Sequence, residues 1–177
     1  WVCEDDPDNP TFGAVIDLEP LDPNKVIPEG CPEGFPTNGG VRTIVQGPRA
    51  QGCSHANMDN AVDFAVGAGT EIRATHNGIA RSGYNAIYGY YVDVTGKCNG
   101  AVFSTRYAHQ PSLPFEGTKD VKKGDKIGVV NNTGHSTGNH LHYDFRGGSI
   151  GIRIDESLHL TKSLTGCCNA ENGIYCY

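Results

Sequence analysis

Residues 140–145, His140-Leu141-His142-Tyr143-Asp144-Phe145, alternate strictly between polar and apolar side chains. Successive side chains of a β-strand point to opposite faces, so the run predicts a half-buried strand. Leu141, Tyr143 and Phe145 would line its core face, while His140, His142 and Asp144 would share the other. Short segments of similar character recur upstream at 41–45, 61–65, 71–74, 78–81, 88–94, 101–109 and 126–131, separated by turn residues. No stretch of ten or more residues carries an apolar stripe at helical spacing, and only 154–160 suggests a short helix. The expected fold class is all-β, a compact antiparallel structure. His76-Asn77-Gly78, between 71–74 and 78–81, reads as a hairpin turn. A second turn is expected around Gly96, Asn99 and Gly100, and a third at 121–124.

The chain has 177 residues and a formal charge of −6. That length fits one domain with some loosely organised residues attached. No apolar run approaches the ~20 residues of a membrane span. The acidic balance argues against nucleic acid, whose phosphates require clustered Lys and Arg. The one small basic cluster, 119–126, is interrupted by Asp120 and Asp125 and reads as a solvated turn. Residues 1–40 hold most of the prolines and several Asp, and are expected to form an extended N-terminal arm pinned by Cys3 and Cys31. Residues 41–160 would form the β domain and 161–177 a Cys-rich tail. The chain opens on Trp1 without a signal peptide, as expected after processing. Its seven cysteines (Cys3, Cys31, Cys53, Cys98, Cys167, Cys168, Cys176) contain no CxxC pair and read as disulfides of an exported protein. The odd count admits a disulfide-linked or self-assembled oligomer.

Two imidazoles on one strand face suit a metal site in which one is a ligand and its neighbour handles protons. Four upstream elements supply context. Ser54-His55 precedes Asn60-Ala61-Val62-Asp63-Phe64-Ala65, where Asp63 alternates with two core residues and so faces a groove. Gly69-Thr70-Glu71-Ile72-Arg73-Ala74 leads towards Gly78-Ile79-Ala80. Arg106-Tyr107-Ala108-His109 ends a strand, and Val121-Lys122-Lys123-Gly124-Asp125-Lys126-Ile127-Gly128 runs into the Gly-rich loop 131–139.

In this order, from about Ser54 to Arg146, the pieces resemble the lysostaphin/LytM-type zinc metallopeptidases, a family of secreted peptidoglycan endopeptidases. The resemblance implies a compact antiparallel β fold whose groove holds one zinc ion. Matched residue by residue, it implies His55, Asp63 and His142 as zinc ligands and His109 and His140 as catalytic histidines. One departure stands. The family's commonest first motif is His-x-x-x-Asp, and four residues before Asp63 this chain carries Asp59. Asp59 is thus the alternative to His55, which is favoured because some members carry a longer loop with Ser-His ahead of a similar strand. Three protein ligands leave a fourth tetrahedral position for water, as in catalytic zinc sites. His109 or His140 would orient or deprotonate that water, stabilise the oxyanion or protonate the leaving amine, and which does which stays open.

The resemblance therefore implies a secreted, extracellular or periplasmic zinc endopeptidase that hydrolyses peptide cross-links of bacterial peptidoglycan, or another peptide substrate. The altered first motif and the odd cysteine keep a second expectation: a catalytically inactive member acting as a binding, regulatory or structural extracellular module. A secreted protease of soluble proteins is the third. His135, in the Gly-rich loop, is expected to face solvent, with substrate contact as the alternative. His76 and His159 read as structural or solvated, and Cys53 as a disulfide cysteine. Asp144 is a candidate hydrogen-bond partner for a histidine ring nitrogen.

Overall fold

The computed structural model describes residues 21–38, 43–50, 54–160 and 163. Its elements are β1 (Ile44–Gln46), a 3₁₀ turn (Ser54–Asn57), β2 (Ala61–Phe64), β3 (Glu71–Arg73), β4 (Gly78–Asn85), β5 (Gly89–Cys98), β6 (Ala101–Gln110), β7 (Thr118–Val121), β8 (Lys126–Val129), β9 (Leu141–Gly147) and α1 (Ile154–Ser157). Seven strands form one antiparallel sheet in the order β1-β2-β9-β6-β5-β4-β7, and β3 pairs with β8 in a second, two-stranded sheet. The expected all-β antiparallel class is thus the observed one. The short helix falls within the 154–160 window.

Alternation decides which face each residue serves. Val62 and Phe64 of β2, Val92 and Val94 of β5, Tyr107 of β6, and Leu141 and Tyr143 of β9 are buried in one apolar cluster. Ile72, Ile127 and Val130, from the two-stranded sheet and its flank, join the same cluster, so the small sheet covers the core face of the large one. The opposite face of the large sheet carries Asp63, His142, Asp144, Arg106 and Asp93, all buried. Asp144 of β9 stands opposite Arg106 of β6, Arg106 opposite Asp93 of β5, and Asp93 opposite Arg81 of β4. Acid and base alternate across four strands, the cross-strand pattern that favours one register over its neighbours.

The hairpin expected across Asn77–Gly78 does not form. β3 pairs with β8, while β4 pairs with β5 and β7. Neither Asn77 nor Gly78 has the positive φ that a two-residue I′ turn requires. The dipeptide serves close packing: a Cβ on Gly78 would stand 2.5 Å from the Thr95 carbonyl oxygen, and Asn77 Oδ1 accepts the Lys123 N–H at 3.0 Å. His76 beside them points inward. Its Nδ1 lies 2.8 Å from the Asn77 carbonyl, its Nε2 lies 2.9 Å from Thr105 Oγ1, and its ring packs on Phe103. Burial pushes its pKa down to about 4, so it is a neutral, structural histidine. The I′ hairpin of this chain is Asn99–Gly100, with φ of 51° and 81°, joining β5 to β6.

Residues 21–38 run along the domain. Cys31 forms a disulfide with Cys98 at the end of β5. Glu29 bridges Lys97, Thr37 bridges Ile72, and the Phe35 ring meets Phe64 edge-on. Cys3, Cys53, Cys167, Cys168 and Cys176, and with them the pinning of the arm by Cys3, lie outside the described residues. Apart from Val121, which is buried in the core, the cluster 119–126 is exposed as expected, with Lys123 paired to Glu33 and Lys126 to Glu71. Among the described residues no helix is long and apolar enough to cross a membrane.

Candidate metal centre

Three strands and one turn place the polar residues singled out above. Asp63 on β2 is the direct cross-strand partner of His142 on β9. The 3₁₀ turn preceding β2 brings His55 over both. His142 Nδ1 lies 3.0 Å from Asp63 Oδ1 and 3.2 Å from His55 Nε2, and the third side of the triangle, His55 Nε2 to Asp63 Oδ1, is 3.4 Å. All three residues are buried. Asp59 is elsewhere: it is exposed and ion-paired with Arg49. The structure therefore groups His55, not Asp59, with Asp63 and His142.

Two ring nitrogens and a carboxylate oxygen converging in a buried space form a donor set that could hold a metal cation in place of the His142 Nδ1 proton. A tetrahedral ion with nitrogen and oxygen ligands about 2.0–2.1 Å away sets those ligands about 3.3 Å apart. The observed triangle matches that spacing, so the donor set fits a metal. Asp144 completes the arrangement from behind. His142 Nε2–H donates to Asp144 Oδ2 at 3.0 Å, which leaves Nδ1 facing His55 and Asp63. Arg146 in turn donates to both Asp144 oxygens, from Nε at 2.8 Å and Nη2 at 3.0 Å. Burial opposes charge on His142, but its hydrogen bonds to Asp144 and Asp63 outweigh it and hold its pKa well above the usual imidazole value, so a metal ion bound here would displace the Nδ1 proton. Burial likewise works to raise Asp63, yet His55, His140 and His142 keep its carboxyl well below the ordinary carboxylate range.

The other two histidines flank this cluster. His140 immediately precedes β9, and its Nε2 lies 3.9 Å from Asp63 Oδ1. His109 sits in a bulge near the end of β6, where the register with β5 shifts between Tyr90 and Val92. Its φ of 63° is a left-handed conformation that a non-glycine residue adopts at a cost of about 1–3 kcal/mol. The bulge turns the ring against His140, 4.5 Å between centroids. Each ring is held by a backbone carbonyl of the Gly-rich loop. His109 Nδ1–H donates to Thr133 O and His140 Nδ1–H to Gly138 O, both at 2.8 Å. With Nδ1 so engaged, each ring turns its Nε2 edge away from that carbonyl. Burial, followed by the neighbouring His140 and His142, pushes the His109 pKa down to about 3, so its ring is neutral.

Sequence reasoning assigned no role to Tyr88, Arg106 or Asp93. Tyr88 lies 5.3 Å from the His142 ring, with the Arg106 and Arg146 guanidinium groups each 4.7 Å from its centroid. Arg106 makes paired 2.8 Å hydrogen bonds to Asp93. Arg106 was visible in the Arg-Tyr-Ala-His segment, but nothing local marks its partner thirteen residues earlier. His135 is exposed, and His159 is exposed and paired with Glu33.

Comparison with known proteins agrees with this geometry. Peptidoglycan DD-endopeptidase ShyA of Vibrio cholerae is 35% identical over 86 residues, 48% of this chain and 19% of that protein. DD-carboxypeptidase/endopeptidase Mpg of Neisseria meningitidis is 36% identical over 90 residues, 50% of this chain and 20% of that protein. The chain thus spans about a fifth of the length of these curated relatives. Among solved structures, a zinc containing peptidase from Vibrio cholerae superposes with a TM-score of 0.55 at 25% identity, over 66% of this chain and 37% of that one. Helicobacter pylori Csd3 gives a TM-score of 0.55 at 26% identity, over 76% of this chain and 35% of that one. The family model for Peptidase family M23 matches residues 57–154. That span includes Asp63, His109, His140 and His142 but starts after His55, which joins the cluster through the fold alone. With just over half of its length matched through every strand that carries the cluster, the chain belongs to peptidase family M23.

Proposed function

We propose that this protein is a zinc-dependent endopeptidase that hydrolyses peptide cross-links of bacterial peptidoglycan outside the cytoplasm. The observation that carries the reading is the convergence of His55 Nε2, Asp63 Oδ1 and His142 Nδ1, with the His109 and His140 rings packed beside it. His55, Asp63 and His142 would hold the ion, and the names of the ShyA and Mpg relatives support the substrate class. The chemistry zinc supplies at a three-ligand site is Lewis-acid polarisation of a carbonyl and a pKa of water lowered to about 7.

The chain's own residues do the rest. Asp144, braced by Arg146, keeps His142 in the tautomer whose Nδ1 lone pair faces the ligand cluster. His109, neutral and held at Nδ1, is placed to orient a water or substrate group through Nε2. His140, held in the same way, stands closer to Asp63, and when it also carries a proton at Nε2 that N–H would be placed to donate to the developing oxyanion or the leaving amine. Purified protein should carry about one zinc per chain and convert cross-linked muropeptides to uncross-linked ones, and His142→Ala should lose both properties. Unchanged zinc content in that variant would end the assignment. Murein left intact by the zinc-loaded wild type would instead favour a binding or regulatory module on the same fold.

A further inference from the structure

Thr133 fastens the Gly-rich loop to the ends of β5 and β6. Thr133 Oγ1 donates to the Gln110 carbonyl at the end of β6 and accepts the Tyr90 N–H of β5 at 3.1 Å, so both functions of the hydroxyl are engaged. Its own carbonyl receives the His109 Nδ1–H at 2.8 Å. The next residue closes the loop on the β4–β5 turn. A Cβ on Gly134 would stand 2.2 Å from the Gly89 nitrogen and 2.6 Å from the Ile87 carbonyl oxygen, and the His135 N–H donates to that same carbonyl at 2.8 Å. Gly89 is equally constrained, since a Cβ there would meet Thr133 Oγ1 at 2.2 Å. His109 is anchored from the same side, its backbone N–H donating to Tyr88 O at 2.9 Å.

From this arrangement we infer that Thr133 is a positioning residue for His109: its hydroxyl locks the loop across the ends of β5 and β6, and its carbonyl thereby fixes the tautomer and aim of the imidazole. The assignment rests on the endopeptidase reading for its effect on turnover, but not for its effect on the ring. Valine has the shape of threonine and lacks both hydrogen bonds, while serine keeps them.

The test uses the zinc-loaded full chain and the variants Thr133→Val and Thr133→Ser. In wild type and Thr133→Ser, ring 15N NMR should report His109 as the Nδ1–H tautomer, and kcat on cross-linked muropeptides should agree within threefold. In Thr133→Val the His109 signals should shift towards a mixture of tautomers and kcat should fall at least tenfold, with KM within threefold and zinc content unchanged. A Thr133→Val protein with wild-type ring signals overturns the inference. So does Thr133→Ser falling as far as Thr133→Val, because the loss would then report packing. If wild-type protein cleaves no muropeptide, the functional reading fails, and the ring signals alone decide the role of Thr133.

Discussion

Asp144→Ala should weaken zinc binding 10–100-fold. Asp144 is buried, accepts the His142 Nε2–H at 3.0 Å, and is itself held by two Arg146 donors. A hydrogen bond to a charged group contributes about 1.5–3 kcal/mol, and partners placed behind metal-ligating histidines are typically worth a factor of 10–100, about 1.4–2.7 kcal/mol. The two routes converge on the same magnitude. Alanine removes the acceptor and also frees His142 to present Nδ1–H, the wrong tautomer, to the ligand cluster. Asn separates geometry from charge. Its carbonyl oxygen accepts the His142 N–H, but its NH₂ group then faces the Arg146 donors, so Asp144→Asn should lose about tenfold. Competition against a chromophoric zinc chelator at fixed pH measures both, with circular dichroism confirming the fold. An alanine variant within threefold of wild type would show that strand pairing, not Asp144, sets the His142 ring.

Three further outcomes follow from the same structure. His55→Ala should abolish zinc binding, whereas Asp59→Ala, which removes only an exposed pair with Arg49 worth about 0–1 kcal/mol, should keep one zinc per chain by elemental analysis. Breaking Cys31–Cys98, whose partners are 67 residues apart, should lower stability by about 4 kcal/mol on the chain-entropy account, measured by urea unfolding of Cys31→Ser/Cys98→Ser against the oxidised protein. His76, with a folded pKa of about 4 against an unfolded value of 6.5, binds its proton more weakly in the folded state. Its contribution is therefore complete above pH 6.5 and lost as pH falls towards 4. About 3 kcal/mol of wild-type stability should disappear across that window, and the slope should flatten in His76→Gln.

What was legible in this sequence, and what was not, divides along a physical line. The alternation in 140–145 identified both the core face and the polar face of β9, because a period of two leaves no other assignment when one face is buried. Asp63 was legible for the same reason. The spacing rule that nominated Asp59 was weaker, since it counts residues along the chain, whereas the ligand position depends on where the turn before β2 lifts its side chain. His55, eight residues back, reaches the cluster, and Asp59, four back, ends on the surface with Arg49.

A pair of Asn-Gly dipeptides, at 77–78 and 99–100, makes the limit sharper. Asn99–Gly100 forms the I′ hairpin that such a pair favours, because β5 and β6 continue on either side and nothing else competes for the turn. Asn77–Gly78 has the same local preference, but His76 is drawn into the core by Thr105 and Phe103, and Gly78 is pressed against the Thr95 carbonyl. Burial of one imidazole and a close backbone approach override a turn propensity, and the chain crosses from one sheet to the other. The carbonyls of Thr133 and Gly138 that hold His109 and His140 lie beyond such reading altogether. Every residue has a carbonyl, so composition carries no trace of which two will be aimed at a histidine. The glycines carry a trace instead: Gly89 and Gly134 are where two loops come too close for a side chain, and that contact sets where the Thr133 carbonyl points.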